Sequence, residues 1–112
     1  MFQGKKIDGK RAKRLVDQGA LLIDVRSPVS FRDGTLPGAI NVSLRNVSTL
    51  RKYPTTTNFI LFSDLSSMDT LKSAANYIIQ MGFDGVYELG DISRWNVEDV
   101  APAPKKIYNK SK

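Results

Sequence analysis

The sequence predicts an α/β domain with a small, mostly parallel sheet of five strands and helices on both faces. Two runs carry that expectation. Leu21-Leu22-Ile23-Asp24-Val25 and Phe59-Ile60-Leu61-Phe62 are short and almost continuously apolar, as strands covered on both faces must be. Helical patterns separate the apolar runs, and strands alternating with helices imply parallel pairing through crossovers. A chain of 112 residues suits one such domain and one core.

The elements follow in order. Ile7 belongs to a short edge strand, and Asp8 is a good N-cap for the helix after it. That helix sets Ala12, Leu15 and Val16 on one face and lysines and arginines on the other, and Gly19 ends it. Residues 20–25 form the central strand. Pro28 to Asp33 is expected as a helical turn anchored by an inward Phe31, and Gly34 and Pro37-Gly38 supply turn chemistry. Ala39 to Val42 reads as a short strand, and Asn46 to Tyr53 as a weak helix stopped by Pro54. After the apolar strand 59–62, a loop from Ser63 to Met68 leads into a helix over Asp69–Met81. Leu71, Ala74, Ala75, Ile78 and Ile79 make its buried stripe, and Gly82 caps it. Val86 to Leu89 is the last strand, and a short helix over Asp91–Val97 carries the only tryptophan, Trp95, expected as a lid on the sheet edge. The domain is expected over residues 1–100, with 101–112 a flexible basic tail.

Composition narrows the function classes. Hydrophobic content of 41% and charged content of 25% are ordinary for a soluble domain. No apolar run reaches the ~20 residues of a membrane span, and no apolar segment follows the basic N-terminus as a secretory signal would require. A cytoplasmic location with no membrane contact is the expectation. Cysteine and histidine are both absent, which removes disulfides and the usual zinc ligands. No cofactor and no metal are expected. The net charge of +6 is uneven: residues 1–14 carry six cations against Asp8, and residues 101–112 carry four lysines and no acid. Nucleic acid or an anionic surface is therefore an alternative partner, but few aromatics lie among these cations to stack bases, and solvated ends are the plainer reading.

Three stretches in order resemble the rhodanese family: Ile23-Asp24-Val25-Arg26, then Phe31 followed by Gly34 and Pro37-Gly38-Ala39-Ile40-Asn41, and Gly82-Phe83-Asp84-Gly85-Val86-Tyr87-Glu88-Leu89 running on to Trp95. The resemblance implies a rhodanese-like fold. It further implies a strand, aligned with residues 59–62, that leads directly into a nucleophilic cysteine within a tight loop. In the family that thiolate takes a sulfane sulfur from thiosulfate and holds it as a persulfide, helped by loop amides, a helix N-terminus and commonly an arginine.

This sequence departs from that pattern where the chemistry would be. Ser63 stands at the cysteine position, and no His exists to activate it. The loop Ser63-Asp64-Leu65-Ser66-Ser67-Met68 has no Arg, Lys or Gly, and Asp69 opens the next helix, with Ser66 or Ser67 as its expected N-cap. Residues Ser63, Asp64, Leu65, Ser66, Ser67, Met68 and Asp69 thus form a degenerate active-site loop with no catalytic residue. Asp24 and Arg26 are expected to tie neighbouring loops by hydrogen bonds. Thr35, where the family often has histidine, and Asp91 are expected as drift in surface turns. The resulting expectation is an inactive rhodanese-like domain acting as a protein-interaction or regulatory module, its partner unidentified. The alternatives, with residual activity, are a degenerate sulfurtransferase, or, since the loop measured to the Ala74-Ala75 pair is longer than the resemblance to a sulfurtransferase implies, a relative of the rhodanese-fold phosphatases.

Overall fold

A computed structural model describes residues 3–95. The tail expected at 101–112 and the end of the last helix lie outside the described residues. Five strands, β1 (Lys5–Lys6), β2 (Leu21–Asp24), β3 (Ile40–Asn41), β4 (Asn58–Ser63) and β5 (Gly85–Asp91), form one sheet in the order β1-β5-β4-β2-β3. Every neighbouring pair is parallel, so the strands' C-terminal ends share one edge of the sheet. The helices are α1 (Gly9–Asp17), α2 (Pro28–Asp33) and α3 (Met68–Gln80), joined by 3₁₀ segments at Leu44–Lys52, Leu65–Ser67 and Ile92–Trp95. None of the described helices is long and apolar enough to cross a membrane.

The central strand β4 shows how the period-2 alternation of a strand divides the interior. Phe59 and Leu61 join Ile23, Val25, Val86 and the α3 residues Leu71, Ala74, Ala75 and Ile78 in one core. Ile60 and Phe62 point to the other face, with Leu22, Leu89 and the α1 residues Ala12 and Leu15. Both faces are therefore buried, which explains why the strand reads as an unbroken apolar run. At ~25 cal/mol per Å² of apolar surface, each such buried side chain contributes about 1.5–3 kcal/mol.

Three expectations change. Phe31 is only half-buried and α2 has no buried residue; the anchor of this connection is Leu36, fully buried in the α1-side core. Leu36 lies past the turn at Gly34 that ends α2, and it is this residue that enters the core. Trp95 is not a lid on the edge. The 3₁₀ segment that carries it folds back on α1, and the indole is buried with Ala12, Leu15, Leu36 and Ile92. The weak helix before Pro54 is a 3₁₀ segment, Leu44–Lys52, that buries Val47 and Leu50 against α3.

Where β4 and β5 run together the register slips between Leu61 and Phe62: Leu61 faces Glu88, and Phe62 faces Gly90. Leu89 is the extra residue, and Gly90 has φ +98°, a conformation open to glycine. This bulge sets the end of β5, with Asp91, beside Ser63 at the end of β4.

Candidate functional site

The site is the C-terminal edge of the sheet, where the ends of β2, β4 and β5 meet the connections that follow them. Asp24, the last residue of β2, is completely buried, so its carboxylate must be satisfied by protein groups. It accepts from the Arg26 backbone N–H at 3.0 Å, from Arg26 Nε at 3.0 Å and Nη2 at 2.8 Å, and from Thr35 Oγ1 at 2.8 Å. Arg26 Nη2 also donates to the Gly34 carbonyl at 2.6 Å. Asn41 at the end of β3 donates from Nδ2 to the Asp24 and Arg26 carbonyls, both at 2.9 Å. These bonds bracket β2, β3 and the turn at 34–35 into one unit. Asp24 and Arg26 tie loops as expected, and Thr35, expected as a surface-turn residue, instead donates its hydroxyl to the buried carboxylate alongside Arg26. Sequence reasoning gave Asn41 no role; the available signal was a lone amide ending an apolar strand.

The Arg26 guanidinium is held above its ordinary range, first by its hydrogen bond to Asp24 and then by the charges of Asp24, Asp64 and Asp91, while burial opposes them. The carboxylates of Asp64 and Asp91 therefore lie within electrostatic reach of the bracket. The sign is simple. A raised pKa means stabilisation complete below the ordinary arginine value and lost only above it, so Arg26 stays charged across the usual pH range.

Ser63 is the last residue of β4 and is completely buried. Its Oγ has no hydrogen-bond partner. Asp64 follows it, half-buried, and accepts from the Ser66 hydroxyl at 2.7 Å, while the Ser67 N–H closes a turn on the Asp64 carbonyl at 3.0 Å. Leu65 is 78% exposed. Ser67 occupies the N-cap position of α3 without a side-chain bond to the helix, and Ser66 is engaged by Asp64, so the expected hydroxyl cap is not made. The helix starts at Met68, one position earlier than expected, with Asp69 exposed in its first turn. Asp91, the register partner of Ser63, accepts from the Ser93 N–H at 3.1 Å and from the Ser93 hydroxyl.

The structure thus keeps the seven loop residues together at the end of β4. A nest of successive amides commonly uses a left-handed residue, and outside glycine no described residue has a positive φ. The nearby arginine is committed to Asp24 and Gly34. Asp64, Asp69 and Asp91 add negative charge at the same edge. The Ser63 hydroxyl is held out of solvent at this edge.

A parallel sheet between helical layers, with a strand running into a loop and then a helix N-terminus, defines an α/β domain with its candidate site at the C-terminal edge of the sheet. The rhodanese-like domain model matches residues 8–98, and the chain belongs to that family. Among curated relatives, the chain is 30% identical over 100 residues to a thiosulfate sulfurtransferase GlpE of Pseudomonas aeruginosa (strain LESB58), covering 81% of this chain and 83% of the relative. It is 28% identical over 104 residues to the protein of the same name in Pseudomonas syringae pv. syringae (strain B728a), covering 85% and 90%. Its fold is similar to that of the single-domain sulfurtransferase RDL2 of Saccharomyces cerevisiae, with TM-score 0.66, 19% identity and coverage of 85% and 90%.

Proposed function

We propose that this chain is a rhodanese-like domain without sulfurtransferase activity that works by binding a protein partner. One observation carries the reading: the residue that ends β4 is a buried serine without a hydrogen-bond partner, in a chain with no cysteine. The relatives named thiosulfate sulfurtransferases set the reference chemistry. Sulfur transfer by a thiolate needs a sulfur atom that serine lacks, and a serine nucleophile needs a base that the chain does not offer as histidine. The acidic loop and the committed Arg26 support the same reading, because a thiosulfate dianion would meet net negative charge.

The test is cyanide-dependent thiocyanate formation by the purified chain, with thiosulfate as donor. The expected rate equals that of a heat-denatured control, and a rate above it overturns the proposal. Ser63→Cys alone is expected to remain inactive, since it brings neither an anion cradle nor a free arginine. The binding half is tested by pull-down from the native source with the wild type and with residues 63–69 replaced by a Gly-Ser loop. Partners specific to the wild type are the expected result; partners shared by both move binding away from this edge.

A further inference from the structure

A second charged surface lies on α1. Lys10, Arg11 and Arg14 are exposed and Lys13 is half-buried, while Ala12 and Leu15 face the core. None of the four is in an ion pair, since the ion pair among the described residues is Arg26–Asp24. Two carboxylates lie beside these four cations, Asp8 at the N-cap, where it accepts from the Arg11 N–H at 2.9 Å, and exposed Asp17 in the last turn, so the helix face keeps a net positive charge. Lys10 and Arg11 also stand at the helix end where the dipole already disfavours cations. Arg94 extends the patch. Its Nη2 donates to the Ile7 carbonyl at 3.3 Å, and it lines, with Asp8, Gly9 and Lys10, a groove of about 230 Å³. Glycine at 90 makes room for this arginine, because a Cβ there would stand 3.2 Å from Arg94 Cδ.

We infer that the solvent face of α1, with Arg94, docks a short Asp/Glu-rich segment of a protein partner. Charge complementarity selects the chemistry, and the extent of the patch selects a protein over a nucleic acid. In the order β1-β5-β4, the start of α1 and the ends of β5 and β4 share one edge of the sheet. A phosphate backbone running past the helix along that edge would meet Asp91 and Asp64, whereas a bounded acidic segment ends before them. The inference rests on the reading of the chain as a protein-binding module and adds a surface separate from the 63–69 loop.

The test compares two triple charge reversals of equal size in the full chain: Lys10→Glu/Lys13→Glu/Arg14→Glu on α1, and Arg45→Glu/Arg51→Glu/Lys52→Glu on the 3₁₀ segment across the sheet. The probe is a fluorescein-labelled peptide of alternating Glu and Ala, followed by anisotropy across a salt series, with a short RNA duplex as second probe. The α1 variant is expected to weaken peptide binding on the order of tenfold and the control reversal far less, with affinity falling as salt rises. Equal losses in both variants, no saturable binding by the wild type, or tighter binding of the RNA duplex overturns the inference. Circular dichroism checks folding, and the neutral set Lys10→Gln/Lys13→Gln/Arg14→Gln takes over if the reversal unfolds. Thiocyanate formation by the wild type would defeat the proposed function and leave the peptide result standing.

Discussion

The ends of β2 and β4 are neighbours in the sheet, and each carries a completely buried polar residue at its last position. They are solved differently. Asp24 has Arg26, Thr35 and its own turn backbone as donors, and Asn41 supports the carbonyls beside it. Ser63 has no partner for its hydroxyl. A buried carboxylate without donors would be ruinous, so the Asp24 bracket is part of what holds the fold. An unpartnered hydroxyl is a smaller penalty that a domain tolerates, as it tolerates the buried, unpartnered Trp95 Nε1 in the α1-side core. The contrast separates a buried charge held by several donors from a buried hydroxyl with none.

The largest effect expected from breaking this contrast is at Arg26. Arg26→Ala leaves the Asp24 charge buried without its ion partner and should lower stability by about 3–5 kcal/mol in urea titration. A loss below ~1 kcal/mol would mean that Asp24 is satisfied without the guanidinium. Thr35→Val removes one donor to the same carboxylate while keeping its shape, with an expected loss of about 1–2 kcal/mol. If Thr35 were merely a turn residue, the change would be undetectable. The smallest effect, of opposite sign, belongs to Ser63. Ser63→Ala deletes an unsatisfied buried hydroxyl and should raise stability by about 1 kcal/mol. A destabilisation of that size would reveal a partner for the hydroxyl and erase the distinction between the two strand ends.

Much of this edge was legible in the residues. The apolar runs at 21–25 and 59–62 carried strand identity because both faces of a parallel sheet are covered, and Asp8 and Gly19 bounded α1 by capping chemistry. The pattern ended the strand at Phe62 with Ser63 opening the loop, whereas β4 runs one residue further and ends on Ser63. Other features depended on distance in space. Thr35 reads as an ordinary turn residue until Asp24, eleven positions earlier, is brought to its hydroxyl. Phe31 has the larger apolar side chain, yet Leu36 took the buried position, a choice made by how the chain turns after α2 and not by side-chain size. Ser66 and Ser67 both have N-cap chemistry, and neither caps α3 with its side chain, since Asp64 draws Ser66 away.

The sequence by itself determined the α/β class and the absence of a thiol, because periodicity and composition are local properties written residue by residue, while the family scaffold was legible through the resemblance of three motifs in order. The tertiary structure alone decided that Arg26 is bound to Asp24 and Gly34, that the Ser63 hydroxyl is buried without a partner, and that Asp64 and Asp91 share its edge. Those are facts of convergence. Parallel pairing brings strand ends far apart in the chain to one edge of the sheet, and burial there decides which polar groups find partners.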